Sequence, residues 1–384
     1  MDQALGDCSL EALRRRRSMK WKKYPADVLP AWVAEMDFDL AAPIKDAVRE
    51  AIGMGDCGYP YPGGLGGAYA AFAGQRFGWA PDPRRVFAVP DVMTGIAEVL
   101  QAVTPHGSGI VINPPVYPPF FYRLRMTGRR VVEAPLRRDA GGRYHLDPAA
   151  VDAALAGEGA AAYLLCSPHN PTGRVWSRED LAAVAEICAR RGVILLVDEI
   201  HAPLALPGAR HVPFLSLDLG ADLARRTFTF TSASKGWNIP GLKCALAVVA
   251  HVEAARVLEE RWEALLASHL GVLATAAAFR ECVPWLDAVI AQLDENRGLL
   301  AKLLAAHLPA AGYVPPEASF LAWLDCRSLG LADPAAAFLG RGRVALSPGA
   351  DFGTQGRGFA RLNMGTSPAL LEEIVRRMSA AIPG

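Results

Sequence analysis

The residues best suited to covalent chemistry are a lysine among small polar neighbours and a carboxylate at the end of an apolar run. Lys235 lies within residues 232–238 (SASKGWN), and Asp198 directly follows the apolar residues 193–197. A lysine amine can form a Schiff base with an aldehyde, and a carboxylate can keep a pyridine nitrogen protonated. Pyridoxal 5′-phosphate (PLP) requires both groups, so this pair predicts a PLP-dependent enzyme that acts on amino acids. The same lysine would then remove the proton from the substrate Cα.

Three further side chains are of the types that such a cofactor and its substrate require. Asn170 follows a predicted strand in the turn 167–173, where it can donate a hydrogen bond to the phenolic oxygen of the cofactor ring. Tyr117 lies between prolines in 114–120, and a ring held there can stack on the pyridine; an aromatic core contact is the alternative. Arg361 lies in a predicted strand, and its planar guanidinium suits a substrate α-carboxylate; an interdomain salt bridge is the alternative.

The phosphate group of PLP needs hydrogen-bond donors at the start of a helix. Residues 91–94 follow a predicted strand and open a helix, so the backbone amides of Val92 and Met93 are candidate donors. Ser232 can add a hydroxyl group, and Lys243 can add a positive charge. An exposed position with no role in binding is the alternative for Lys243.

Short apolar strands separated by helices would position these residues. Strands are predicted at 86–89, 109–112, 131–134, 161–166, 193–197, 227–231 and 245–250. Helices are predicted at 42–53, 65–77, 94–103, 180–191, 285–304 and 368–382. The alternation predicts an α/β fold with a mostly parallel central sheet and helices on both faces. Ligands of such sheets bind beyond the carboxyl ends of the strands.

A second, smaller domain is predicted near the C-terminus. Two strand candidates, 320–324 and 358–363, follow the long amphipathic helix 285–304. We expect a large PLP-binding α/β domain at 41–284. A small α+β domain would combine 1–40 with 285–384.

The composition and the cysteine usage indicate a cytoplasmic protein with a large core and argue against other classes of protein. Of the 384 residues 52% are hydrophobic, and the net charge is +1, which argues against a nucleic-acid-binding protein. No apolar run approaches the ~20 residues of a membrane span, and residues 1–7 lack the apolar core of a signal peptide. The seven cysteines form no CxxC pair, so we expect reduced thiols and no metal site.

In their order along the chain, the candidate residues resemble those of fold type I PLP-dependent enzymes, the aspartate aminotransferase superfamily. Within it, the chain is similar to the cystathionine β-lyase and cysteine-S-conjugate β-lyase group of the MalY/PatB type. The resemblance extends nearly from end to end. The segments that carry the narrower resemblance are 20–21 (KW), 29–38 (LPAWVAEMDF), 114–121 (PPVYPPFF), 167–174 (SPHNPTGR), 198–201 (DEIH), 207–208 (PG), 211–214 (HVPF), 345–349 (ALSPG) and 352–353 (FG).

The resemblance implies a homodimer with active sites at the subunit interface. Tyr59 corresponds to a tyrosine that reaches the cofactor phosphate and substrate of the neighbouring subunit, and Tyr61 is the alternative for that role. The resemblance also implies that His201 contacts the cofactor and that Trp32 contacts the substrate.

The reaction that the resemblance implies is β-elimination. It would cleave L-cystathionine or another cysteine S-conjugate to a thiol, pyruvate and ammonia. Departures from the group's usual residues around Pro203 and at Lys243 keep two alternatives open. One is an aminotransferase of class I or II; the other is a specialised enzyme of secondary metabolism acting on a bulky cysteine S-conjugate, as a C–S lyase or a decarboxylation-coupled deaminase. A non-catalytic binding protein on this fold is a further alternative, against which the intact Lys235, Asp198 and Asn170 argue.

Overall fold

The computed structural model describes residues 5–6 and 8–382. The expectation that residues 1–7 lack the apolar core of a signal peptide falls mostly outside the described residues. The strands are β1 (Leu29–Pro30), β2 (Val86–Val89), β3 (Gly109–Ile112), β4 (Arg130–Glu133), β5 (Arg137–Arg138), β6 (Tyr144–His145), β7 (Ala160–Cys166), β8 (Ile194–Asp198), β9 (Thr227–Thr231), β10 (Ala245–Val248), β11 (Gly312–Tyr313), β12 (Leu321–Asp325), β13 (Val344–Ala345), β14 (Ser347–Pro348) and β15 (Phe359–Asn363).

The α-helices lie between these strands or flank them. They are α1 (Leu10–Arg14), α2 (Met19–Lys22), α3 (Ala42–Gly53), α4 (Leu65–Phe77), α5 (Val92–Val103), α6 (Pro118–Met126), α7 (Pro148–Leu155), α8 (Arg178–Arg191), α9 (Gly220–Ala224), α10 (Ala233–Gly236), α11 (Val252–Glu259), α12 (His269–Glu281), α13 (Val283–His307), α14 (Pro334–Gly340) and α15 (Pro368–Ala380). Within the described residues, no helix has both the length and the apolar character needed to cross a membrane.

A seven-stranded sheet forms the centre of the larger part of the described chain. Its order is β2-β10-β9-β8-β7-β3-β4, and only β10 runs antiparallel to its neighbours. Every residue of β3, β9 and β10 is buried, as expected for strands with helices on both faces. The predicted α/β fold with a mostly parallel sheet is confirmed.

Alternate residues of the central strands face two separate apolar layers. Leu164 and Leu196 belong to the layer that contains α5 and α6, whereas Tyr163 and Leu165 belong to the layer that contains α7 and α8. Successive side chains of a strand point to opposite faces, so a continuously apolar strand is covered on both sides. The polar residues that end these strands are therefore left at one edge of the sheet.

Helix α5 begins at Val92, earlier than the predicted 94. The cause is an N-cap: Oδ1 of Asp91 accepts a hydrogen bond from the Thr94 amide at 2.8 Å. The earlier start places Val92 and Met93 in the first turn, where backbone amides have no partner within the helix.

A second sheet, antiparallel and four-stranded with the order β11-β12-β15-β14, lies in the C-terminal part of the described chain. Leu300 of α13 and Ile374 of α15 pack in the same apolar cluster as β12. The N-terminal segment joins this part through β1, which pairs in parallel with β13. We propose the domain division that the sequence predicts, with 41–284 as the large domain and 1–40 plus 285–384 as the small one.

Candidate active site

A cavity of about 270 Å³ opens at the carboxyl ends of β7, β8 and β9. Cys166 ends β7 and Asp198 ends β8, and the two residues lie opposite each other in register. Helix α10, which follows β9, brings Lys235 to the same edge. The residues predicted from the sequence that line the cavity are Val92, Met93, Tyr117, Asn170, Asp198, His201, Ser232, Lys235 and Lys243.

Three predicted residues lie outside that lining. Arg361 is buried beside the cavity and donates to Oδ1 of Asn170 at 3.0 Å. The carbonyl oxygen of Trp32 accepts a hydrogen bond from the same guanidinium. The Tyr59 side chain is 90% exposed on this chain, and its expected role at a neighbouring subunit stays a prediction.

Lys235 is held in the cavity wall by the capped turn of α10. The hydroxyl of Ser232 accepts from the Ser234 amide and donates to the carbonyl of Cys244 at 2.7 Å. The Lys235 amine donates to the carbonyl oxygen of Ala34 at 2.8 Å. Its shielding from water lowers the pKa of the amine to about 8, and the positive charge of Arg361 acts in the same direction. A lysine with this pKa has a substantial neutral, nucleophilic fraction near neutral pH.

Asp198 presents a carboxylate at the buried end of the cavity. Its Oδ1 accepts a hydrogen bond from the Ile200 amide at 3.0 Å, and no side chain of the described residues bonds its other oxygen. Burial raises the pKa of Asp198 to about 7. The hydrogen bond from the Ile200 amide and the positive charge of Lys235 act in the opposite direction and lower the pKa. A cationic ring nitrogen placed against this carboxylate would favour its ionised form.

Arg361 is a buried cation without a carboxylate partner among the described residues. Its guanidinium donates to Asn170, to the Trp32 carbonyl at 3.0 Å and to Ser347 Oγ at 3.2 Å. Burial lowers the pKa of Arg361 to about 10, so the group remains positively charged at neutral pH. The interdomain salt bridge considered as the alternative is absent from the described chain, and an incoming carboxylate could supply the missing counter-charge.

Tyr117 and His201 contribute neutral rings to the cavity. Burial raises the pKa of Tyr117 to about 12, so its hydroxyl stays protonated. Burial also lowers the pKa of His201 to about 3, so the imidazole is neutral, and its Nδ1 atom has no hydrogen-bond partner in the described structure. Two uncharged rings at the cavity can pack against the face of an aromatic ligand.

The start of α5 forms the polar end of the cavity. Val92, Met93 and Ser232 line it, and all three residues are buried. Lys243 also lines this end of the cavity, but its side chain is half-exposed and forms an ion pair with Asp91. Part of its positive charge is therefore already neutralised. Amides at a helix start and a hydroxyl group match the requirements of a phosphate.

The N-terminal segment 32–37, which we call the strap, lies between Lys235 and strand β15. Nδ2 of Asn363 donates to the carbonyls of Val33 and Glu35 at 2.7 and 2.6 Å. The amine of Lys20 lies 2.8 Å from Oδ1 of Asp37 and donates to the carbonyl of Glu35 at 3.0 Å. The pair Lys20–Asp37, in which each side chain is only 1% exposed, therefore holds the strap together with the bonds from Asn363.

Replacing Lys20 by methionine is expected to lower the free energy of unfolding by about 3–5 kcal/mol, because Asp37 is left as an unpaired buried charge. Urea denaturation followed by circular dichroism measures the change. The double variant Lys20→Met with Asp37→Leu should recover part of the loss. It removes the buried charge but also the acceptor of the Trp21 Nε1 hydrogen bond, which is 3.0 Å long. Arg84→Met, which breaks an exposed ion pair with Asp82, is the control. A loss for Lys20→Met no larger than that of the control would contradict this prediction.

The sequence did not identify several residues of the site. Ala34 contributes only its carbonyl oxygen, which no side-chain pattern could have revealed. Ser347 belongs to one of the segments that carry the resemblance, yet its contact with Arg361 was not foreseen. Cys166, Tyr122 and Arg123 line the cavity, and their positions followed only from the paths of β7 and α6.

Comparison with known proteins agrees with the geometry. The model for the family described as “Aminotransferase class I and II” matches residues 43–378. A Mycobacterium leprae protein, provisionally named a cystathionine β-lyase, is 45% identical over 401 residues, covering 98% of each chain. The Bacillus subtilis protein named “Cystathionine beta-lyase PatB” is 35% identical over 95% of this chain and 97% of its own. A Corynebacterium diphtheriae crystal structure, provisionally described as a PLP-dependent β-cystathionase, superposes with a TM-score of 0.90 at 35% identity and 97% coverage of both chains.

The fold and the cavity define a PLP-dependent enzyme of fold type I. More narrowly, the chain belongs to the aminotransferase class I and II family and, within it, to the group of the cystathionine β-lyases of the MalY/PatB type. The resemblance predicted from the sequence is confirmed, and so is the cofactor, PLP. The cavity fits this cofactor because it offers an amine, a buried carboxylate, neutral rings and a helix start.

Proposed function

We propose that this protein is a carbon–sulfur β-lyase. It cleaves L-cystathionine, or another cysteine S-conjugate, with one water molecule to a thiol, pyruvate and ammonia. The observation that carries the proposal is that Lys235 and Asp198 line one cavity, while Arg361, a buried cation without a carboxylate partner in the described chain, lies beside it and donates to the cavity residue Asn170. The names of the similar proteins, among them the cystathionine β-lyase PatB of Bacillus subtilis, support the same reaction.

Each predicted residue receives a role in holding the cofactor or the substrate. When bound, PLP supplies an electron sink for the charge that develops at the substrate Cα. The Lys235 amine would hold the aldehyde of the cofactor, Asp198 would hold its ring nitrogen, and Asn170 would hold its phenolic oxygen. Tyr117 and His201 would pack against the ring. The amides of Val92 and Met93, together with Ser232 and Lys243, would hold the phosphate.

The proton transfers are assigned to Lys235. Its pKa of about 8 lies near the pH at which the reaction would run, as an efficient general base requires. Nζ, released from the aldehyde when the substrate amine takes its place, would accept the proton from Cα and can deliver it to the departing sulfur. Arg361 and Asn170 hold the α-carboxylate, with Trp32 contributing through its carbonyl contact to Arg361. Binding of the carboxylate fixes the orientation of the substrate, and the orientation decides which bond at Cα is broken.

The proposal includes a homodimer in the cytoplasm. Large apolar side chains are exposed around a cavity of about 800 Å³ away from Lys235: Tyr61 is 82% exposed and Trp262 is 60% exposed. A second copy of the chain would cover this surface. Tyr59, or Tyr61, would then reach the neighbour's phosphate and substrate. Light scattering during size-exclusion chromatography should give twice the mass of the chain, and a single-chain mass would reject the dimer.

The decisive assay uses L-cystathionine without any added keto acid. We expect equimolar pyruvate and free thiol from the purified holoenzyme. An obligatory need for 2-oxoglutarate or pyruvate as amino acceptor would instead support transamination, the second candidate, which the match to the aminotransferase class I and II family favours. The bulky S-conjugate alternative would appear as turnover of large thioethers with none of L-cystathionine.

Replacing Arg361 by glutamine is expected to raise KM for L-cystathionine by about 10- to 100-fold, the range for losing a hydrogen bond between charged groups. Steady-state pyruvate release measures the change, and kcat should fall much less. Arg361→Lys keeps the charge but not the planar fork, so it should restore only part of the affinity. An unchanged KM in Arg361→Gln would remove Arg361 from the substrate site.

A further inference from the structure

Helix α6 presents to the active-site cavity an arginine to which the proposed reaction assigns no role. Pro119, Tyr122 and Arg123 line the cavity, as expected for residues three and four positions apart on one helix face. Phe120 and Leu124 lie on the core side and are fully buried. Core packing therefore fixes the rotation of α6 and directs Arg123 toward the cavity.

Arg123 is a cavity-lining cation without a partner in the described chain. Lys243 is paired with Asp91, and Lys235 and Arg361 have roles in the proposed reaction. Arg123 forms no ion pair within residues 5–6 and 8–382, and its buried Nε atom has no hydrogen-bond partner there. An unsatisfied guanidinium N–H is costly, and an anionic ligand would remove that cost.

Arg123 lies on the α6 side of the cavity, where its neighbour Tyr122 is 49% exposed. The proposed phosphate donors Val92, Met93 and Ser232 lie at the start of α5 and beside α10, and they are 3%, 8% and 1% exposed. The phosphate is therefore assigned to the α5 side, and the group that leaves from Cβ is assigned to the α6 side, from which it can depart into solvent.

We infer that Arg123 recognises an anionic group on the leaving side of the substrate. The substrate class is then a cysteine thioether whose departing thiol carries a carboxylate, a class to which L-cystathionine belongs. The inference rests on the proposed lyase function and names its specificity. A neutral S-alkyl cysteine would leave the Arg123 guanidinium without a partner. The cofactor phosphate is the other anion available to Arg123, and the test separates the two.

The test compares S-(2-carboxyethyl)-L-cysteine with S-butyl-L-cysteine, which has a similar shape but no charge. Pyruvate release by the holoenzyme gives kcat/KM for each. In R123Q the ratio of the two values, carboxylate over alkyl, should fall by about 10- to 100-fold, mainly through KM. R123K should retain part of the preference. R125Q, which alters an exposed arginine of the same helix, should leave the ratio unchanged.

Each other outcome overturns the inference in a distinguishable way. An equal loss on both substrates in R123Q would reject Arg123 as the specificity residue while leaving the lyase function intact. An unchanged ratio with weaker binding of PLP to the R123Q apoprotein would assign Arg123 to the phosphate. A fall of the ratio in R125Q as large as in R123Q would show a disturbed helix. Absence of pyruvate from both substrates with the unaltered enzyme would reject the lyase function itself, and the inference with it.

Discussion

Replacing Lys235 by alanine is expected to lower kcat/KM for L-cystathionine by about 10³-fold, within the range for loss of a positioned acid–base group. The amine is assigned two tasks, holding the cofactor aldehyde and moving the Cα proton, so no neighbouring group can substitute for it. Lys243 lines the same cavity but is engaged by Asp91. Pyruvate release measures the rate, and the ultraviolet–visible spectrum reports whether PLP is still bound.

Borohydride reduction followed by peptide mapping tests the same assignment without relying on turnover. In the unaltered holoenzyme the reduced cofactor mass should lie on the peptide that contains Lys235, and in Lys235→Ala it should be absent. Lys302→Ala, which alters an exposed lysine of α13, should leave both the adduct and the rate unchanged. Methylamine added to Lys235→Ala should restore part of the rate. An adduct on any other lysine of the unaltered enzyme would reject the proposed mechanism.

The parts of the site that follow from strand topology could be predicted from the sequence. Asp198 ends an apolar strand and Lys235 follows another, and the carboxyl ends of neighbouring parallel strands meet at one edge. Side chains placed by their own strand, helix start or turn, such as Asn170 and Tyr117, line the cavity as expected. The local sequence around each of these residues is sufficient to predict its position at the cavity.

The parts that depend on contacts between distant segments could not be predicted. The Lys235 amine meets the carbonyl of Ala34, 201 positions away, because the strap folds over the cavity. A backbone oxygen has no residue signature, so its contribution becomes visible only in the folded chain. Arg361 was selected by its type, but its bond to Asn170 depends on how the two sheets are placed.

Arg123 shows a second limit of prediction from the sequence. It lies in α6 and is one of four arginines in the segment 118–130, and composition alone does not distinguish it from the exposed Arg125. The burial of Phe120 and Leu124 sets the rotation of the helix and thereby selects one arginine for the cavity. The position of Arg123 at the cavity therefore depends on how α6 packs.

Replacing Asp198 by asparagine is expected to lower kcat/KM by about 10²- to 10³-fold, the range for losing one preorganised electrostatic contact. Asparagine can still accept the hydrogen bond from the Ile200 amide, so the β8 terminus should keep its shape. It carries no charge, however, and cannot hold a proton on a ring nitrogen. The loss should appear mainly in kcat, because Arg361 and Asn170 still bind the α-carboxylate.

A chemical rescue separates this electrostatic role from a structural one. N-methylated PLP carries a permanent positive charge on its ring nitrogen and needs no carboxylate to keep it. Reconstituting Asp198→Ala with this analogue should restore part of the activity that ordinary PLP cannot. Asp222→Asn, which removes the charge of a carboxylate that is 83% exposed, should match the unaltered enzyme. Equal activity of Asp198→Ala with both cofactors, at unchanged circular dichroism, would show that the charge of Asp198 does not support the reaction.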